Sequence, residues 1–281
     1  MSTEAATLSD RLLSARRGFW WFNVHTMLLI AIVICALFAP LIAPYNPVAA
    51  NPSQQLLPPS ALHWFGTDTN GMDVFSRVIW AARIDLLIPA LGVGIGAAIG
   101  SMLGAFIGFV GGLVDDVMSR GVEMMQAMPT FLFALMIVAV FGHSVTVLIG
   151  IVAFVNIPIY VKLTRSVALP SRGQDYVAAS KCAGYGPLGI VLRHVFPNSI
   201  GPLTPQLALS CGFAIQIVAG LSFLGLGVPI PQPEWGSMIQ DGAGLLLYGQ
   251  WWVSVFPGLA IVLTVISFDG IARRLGVRYS K

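Results

Sequence analysis

Charge is what this chain has least of. Only 10% of its 281 residues are charged and 56% are hydrophobic, whereas an ordinary soluble domain carries about 25% charged residues. So little polar surface cannot cover a core in water, but a bilayer solvates apolar side chains and removes the need. Cysteine is also scarce. Cys35, Cys182 and Cys211 form no CxxC pair and have no histidine at metal-binding spacing, so they read as unpaired thiols. The histidines, His25, His63, His143 and His194, are too scattered to build a triad or a metal cluster. No Gly-Lys-Ser/Thr follows glycine-rich pieces such as Gly225-Leu-Gly227, so there is no phosphate loop. No basic run interleaved with aromatics suggests nucleic acid. The sequence therefore offers no catalytic residue, no metal site and no cofactor bound by this chain.

What it does offer is long apolar runs. About 20 apolar residues cross the hydrocarbon as a helix, and the charge-free intervals predict about six such spans. They lie near 24–43, 86–110, 124–142, 145–163, 200–224 and 251–271. The first run is longer than the roughly 7–15 residues of a signal-peptide core and reads as an uncleaved helix. From Met124 to Val161 there is no charged residue, with a turn signal at Gly142-His143-Ser144.

Basic residues orient the spans, since cytoplasmic loops hold the excess of Lys and Arg. With the N-terminus inside, every one of the fifteen basic residues except Arg77 and Arg83 falls on an inner segment. Both termini are then cytoplasmic. The division is an inner segment 1–23, the first span 24–43, an outer segment 44–85, a core of five spans over 86–271, and an inner tail 272–281. The connection 164–198 is the longest inner one and the most basic.

That inner connection has a readable local structure. Gly173-Gln174-Asp175 reads as a helix start with a carboxylate near the positive end of the dipole. About two turns follow, Gly184 ends them in a left-handed conformation, and Pro187 opens a second short helix. Pro197-Asn198 leads into the fifth span. Ala178, Ala179, Ser180 and Ala183 give the first helix a surface of small side chains that another protein can approach closely; an amphipathic connector lying on the membrane is the plainer reading.

The stretch from Asp175 to Gly184, followed by Ile190 to Pro197, resembles the EAA loop of ATP-binding-cassette importer permeases. Ala178, Ala179 and Ser180 fall on the triplet, with Gly184 and Pro197 at the family's spacing. The acidic position is Ala178 here and the second alanine is Ser180. Three further stretches resemble the dipeptide/oligopeptide/nickel branch: His63 to Arg77 continuing to Asp85, Gly111 to Thr130, and Ser222 to Val228 with Trp235-Gly236. The resemblance implies an all-α integral membrane protein with the type I importer permease (MetI-like) fold, in a bacterial inner membrane. It implies half of a translocation pathway, paired with a second, similar permease, two cytoplasmic ATPase subunits that hold the ATP and magnesium, and an extracytoplasmic binding protein. Asp175, Ala178, Ala179, Ser180, Gly184 and Pro197 would form the ATPase-coupling loop. Small peptides are the expected solute, with nickel, opines or oligosaccharides as alternatives.

Polar residues at membrane depth are few. Asn156 in the fourth span, and Gln206, Ser210 and Gln216 in the fifth, need partners because an unsatisfied polar group in hydrocarbon is costly. Interhelical hydrogen bonds would supply them; alternatively Asn156 and Gln216 line the pathway. No span carries a charge near its middle, which counts against an ion-coupled secondary carrier. Gly92, Gly96, Gly100, Gly104, Gly108 and Gly112 recur at every fourth position of the second span, predicting close backbone packing against a neighbour. Pro129 and Pro158 are expected to kink spans.

Overall fold

A computed structural model describes residues 24–229 and 231–279, and every element among them is helical. The basic segment 1–23 and Lys281 lie outside the described residues. Helix α1 (Val24–Leu37) is followed by a short α2 (Ala39–Ile42). The break at Phe38 precedes Pro40, which has no amide hydrogen to continue the helical ladder. Then come α3 (Val74–Val110), α4 (Gly112–Ala127), α5 (Thr130–Phe141) and α6 (Val145–Ser171). The elbow helices α7 (Asp175–Cys182) and α8 (Pro187–Ile190) precede α9 (Phe196–Phe223), α10 (Trp235–Ala243) and α11 (Trp252–Tyr279).

Four helices are long and apolar enough to cross a membrane, and five if α4 and α5 count as one broken span. The six read from the sequence included a first span at 24–43, where α1 ends at Leu37 and is too short to count among these helices; three further details differ. The second span begins at Val74 rather than near residue 86, because charged side chains in its first turns find buried partners. The third span is bent by 83° between α4 and α5. Pro129 does not kink a continuous helix but stands at that break, and Met128 before it is extended (φ −79°, ψ 130°), as a residue preceding proline prefers. Finally, Gly112 lies beyond the end of α3 and faces open space.

The other glycines of the strip do what their spacing predicts. A methyl group on Gly96, Gly100 or Gly104 would stand 2.5, 2.5 and 2.3 Å from the carbonyl oxygens of Ala153, Ile157 and Val161. At Gly92 and Gly108 it would meet α6 at Ile149 and Arg165 in the same way. Successive turns of α3 thus rest on successive turns of α6, backbone on backbone, as small residues allow in lipid. Tyr160, Leu148, Ile151 and Val152 of α6 pack with Val93 of α3 and Val218 of α9 into the main apolar core.

The amide nitrogens on the spans find more local partners than expected, while Asn156 Oδ1 is buried with no hydrogen-bond partner among the described residues. Asn156 Nδ2 donates to Val152 O (2.8 Å), Gln216 Nε2 to Gly212 O (3.4 Å), and Gln206 Nε2 to Ser210 Oγ (3.3 Å). These partners lie one turn away on the same helix, not across an interface.

At the end of the molecule where α3 begins, residues 44–73 and α10 form a cap. Asp73 is the N-cap of α3, accepting from Ser76 N (2.8 Å), while its other oxygen lies 2.8 Å from His63 Nδ1. Asp68 lies 3.4 Å from Arg77 Nε, with both side chains buried. Trp235 ties α10 to α3: its backbone N–H donates to Asp85 Oδ2 (3.0 Å) and its indole N–H to Val78 O (3.0 Å). Glu234, fully buried, caps α10 by accepting from Gly236 N (2.9 Å) and Ser237 N (2.8 Å). Losing such a cap costs about 1–2 kcal/mol. Glu234→Ala should therefore lower the midpoint of thermal unfolding of the purified chain, and an unchanged midpoint would refute the cap's importance.

Candidate coupling elbow

Helix α6 arrives at the elbow already anchored. Arg165 forks the Asp115 carboxylate with Nε and Nη2 at 2.5 and 2.9 Å, and Lys162 donates to Gln126 Oε1. Both contacts join α6 to the amphipathic α4. Arg172, at the C-terminal end of α6, donates from Nε to Gly108 O (2.7 Å). Its guanidinium fills the space where a side chain of Gly111 would stand, 2.1 Å from the position of a Cβ. Gly111 also has φ +70°, so both room and conformation call for glycine there.

The chain then turns through Gly173 and Gln174 into α7. Val177 is the buried residue that seats this helix. It packs with Ala105 and Phe109 of α3, Ala168 of α6, and Ile190, Val191 and Val195 after the turn. Ser180 is buried too, its hydroxyl donating to Tyr176 O (2.7 Å). Ala178 and Ala179 point the other way and are exposed. Asp175 is exposed in the first turn and makes no cap hydrogen bond of its own to the helix.

The helix ends as Gly184 predicts. Gly184 has φ +83°, its N–H donates to Lys181 O (3.0 Å), and Tyr185 N donates to Ser180 O (3.1 Å). This pair of bonds is a Schellman motif, which satisfies the orphan carbonyls at the end of α7. Pro187 occupies the first turn of α8, where its missing N–H costs nothing.

Beyond Pro187 the structure departs from two separate short helices. Residues Pro187–Phe223 form one continuous helix of 37 residues, with a π-helical turn at Val191–Val195 joining α8 to α9. Phe196 N–H reaches back to Val191 O. Pro197 explains the turn: a proline within a helix lacks an N–H and crowds the carbonyl four residues back, and one wider turn relieves both problems. Pro197 therefore lies inside the long helix, exposed, rather than leading into it. Arg193 on this turn donates to Tyr185 Oη (2.9 Å) and stacks over the Tyr185 ring at 5.1 Å. His194 lies between the rings of Tyr176 and Tyr185, 6.2 and 6.3 Å away.

Asp175, Ala178, Ala179, Ser180 and Gly184 are thus gathered on one short helix and its end, with Pro197 on the neighbouring helix. The rim of Tyr185 and Arg193 escaped the sequence reading, although an aromatic and a basic residue flanking a predicted turn were visible. Asn156 and Gln216 are not brought together. Asn156 is 3% exposed, packed between α6 and Gly96 of α3, whereas Gln216 is exposed on α9.

Comparison with known proteins agrees with this architecture. Residues 100–281 match the family of inner membrane components of binding-protein-dependent transport systems. Residues 26–59 match the N-terminal transmembrane domain of oligopeptide transport permease C. A dipeptide transport system permease protein of Escherichia coli K12 is 43% identical over 254 residues, spanning 88% of this chain and 84% of the relative. A di/tripeptide transport system permease protein of Pseudomonas aeruginosa is 38% identical over 269 residues, 91% of this chain and 88% of the relative. A dipeptide transport system permease protein of Alkalihalophilus pseudofirmus is 37% identical over 248 residues, 88% of this chain and 81% of the relative. With apolar helices long enough to cross a bilayer and a family match over most of its length, the chain belongs to the inner membrane components of binding-protein-dependent transport systems, as a multi-pass permease subunit of the type I importer fold and not an enzyme.

Proposed function

We propose that this permease forms half of the pathway by which small peptides, delivered by an extracytoplasmic binding protein, cross the inner membrane. A second, similar permease supplies the other half, and two ATPase subunits holding ATP and magnesium supply the work. The observation that carries the reading is the exposed Ala178–Ala179 face on a helix fixed at both ends. Val177 and Ser180 anchor α7 beneath, the Schellman turn closes it, and the small side chains let a partner's groove close on the backbone. The basic residues of 164–198 support a cytoplasmic elbow under the positive-inside rule, and the basic residues of the two terminal segments support the same side for both termini. The peptide assignment follows the names of the relatives from Escherichia coli and Pseudomonas aeruginosa.

In this scheme the ATPases pull on α7, and the anchors at Val177, Arg165 and Arg172 carry that movement into α3, α4 and α6. Gln216, on an open face of α9, is the pathway-lining candidate. Asn156 would join it only through a movement that parts α6 from α3. The coupling role is tested by placing a photocrosslinking amino acid at Ala179 in the intact transporter. The expected product joins the permease to an ATPase subunit. A product formed with the binding protein, or none with the ATPase, would overturn the assignment.

A further inference from the structure

A second site lies at the opposite end of the molecule from the elbow. A groove of about 1300 Å³ opens between the α1–α2 segment and α3, larger than the roughly 300–1,000 Å³ of a drug-sized pocket. Its walls are apolar: Leu37 from α1, with Leu86, Leu87 and Ala90 from α3. Its lining contains one charged residue, Arg83. Arg83 is exposed, stacks over the Trp80 ring at 5.1 Å, and forms no ion pair among the described residues.

The order of these residues along the groove matters. Tyr45 N donates to Ser76 Oγ (3.2 Å), which puts the end of α2 level with the first turn of α3. Tyr45, Trp80 and Arg83 therefore sit at one end of the groove, and Leu37, Leu87 and Ala90 toward the other. Arg83 and Asp85 together precede the charge-free part of α3, residues 86–110, and a charge at the end of so long an apolar run belongs near the membrane–water interface. Tryptophan and tyrosine favour that depth, and a guanidinium is suited to binding phosphate by two parallel hydrogen bonds.

We propose that this groove is a binding site for an anionic phospholipid, whose phosphate meets Arg83 beside Trp80 and whose acyl chain lies along Leu37, Leu86, Leu87 and Ala90. Apolar walls alone would accept any hydrocarbon surface, including a partner's helix. A single unpaired cation at interface depth selects a molecule that is apolar along its length and negative at one end. Charge complementarity thus picks a lipid.

The test is native mass spectrometry of the full-length permease in detergent, titrated with phosphatidylglycerol and phosphatidylcholine of identical acyl chains. One phosphatidylglycerol should be retained with a preference of about fivefold, the effect of one basic side chain near an anionic headgroup. Arg83→Gln should abolish the preference and Arg83→Lys should keep it. Ala90→Trp, which fills the groove, should weaken retention of both lipids. Equal binding of the two lipids by the unaltered protein, or a preference that survives Arg83→Gln, would overturn the proposal. So would a photocrosslinker at Ala90 that, in the assembled transporter, captures the second permease rather than lipid.

Discussion

Replacing Gly104 with leucine should destabilise the protein by at least about 3 kcal/mol, the upper end of what overpacking usually costs. The reason is what lies opposite. A Cβ at Gly104 would sit 2.3, 2.9 and 3.0 Å from the carbonyl oxygen, Cα and carbonyl carbon of Val161, all of them backbone. No rotamer change relieves such a contact, so α3 and α6 must separate, and the contacts at Gly96, Gly100 and Gly108 separate with them. Gly94→Ala on the same helix is the control. Gly94 is exposed with no atom within 4 Å of its Cβ position, so alanine should stabilise slightly, by up to about 1 kcal/mol of helix propensity. Thermal unfolding of the two variants in detergent decides the matter. Equal midpoints for both would mean that the close approach of α3 to α6 does not hold the fold together.

The second large effect is functional. Gly184→Val should reduce uptake about tenfold while leaving the amount of permease in the membrane unchanged. No atom stands within 4 Å of the Gly184 Cβ position, so nothing clashes; the strain is in the backbone, at φ +83°. A left-handed conformation costs an ordinary residue about 1–2 kcal/mol, and valine is among the worst suited to it. An elbow that relieves this strain by opening its Schellman turn presents Ala178 and Ala179 at the wrong angle. The docking-competent fraction then falls in proportion, and activity with it. Gly186→Ala is the matched control, since Gly186 has φ −72° and open surroundings. Normal uptake by Gly184→Val would remove the elbow from the coupling mechanism. Loss of both variants from the membrane would mark the whole turn as a folding element instead.

What was legible beforehand follows from how local the governing rule is. Gly184 and Pro187 could be read directly, because a positive φ and a missing amide hydrogen are properties of single residues. The glycine strip was readable because one spacing, repeated four times along α3, has a packing consequence. The early start of α3 was hidden. Arg77 and Asp85 look like residues of a solvated segment until Asp68 is seen to pair with Arg77 and Trp235, 150 residues further on, to donate to Asp85. The bend between α4 and α5 was hidden for the opposite reason: the run from Met124 onward carries no charge on either side of Pro129, so hydropathy alone cannot tell a bent chain from a straight one. Pro197 misled because a proline suggests a boundary, and here the helix widens by one turn and continues.

The length of α3 has a consequence for how such a chain can vary. Its 37 residues reach about 55 Å at 1.5 Å per residue, well beyond a hydrocarbon layer of about 30 Å. One rod therefore carries the cap at its first turns and the seat of α7 at its last. Adding or deleting a single residue between Gly92 and Gly108 would rotate one end against the other by about 100°, and no adjustment at either end could restore both faces. Substitutions can accumulate along this helix, but its residue count is effectively frozen. Differences in length between chains of this kind should gather in the connections 44–72 and 224–234, where a longer loop disturbs no register.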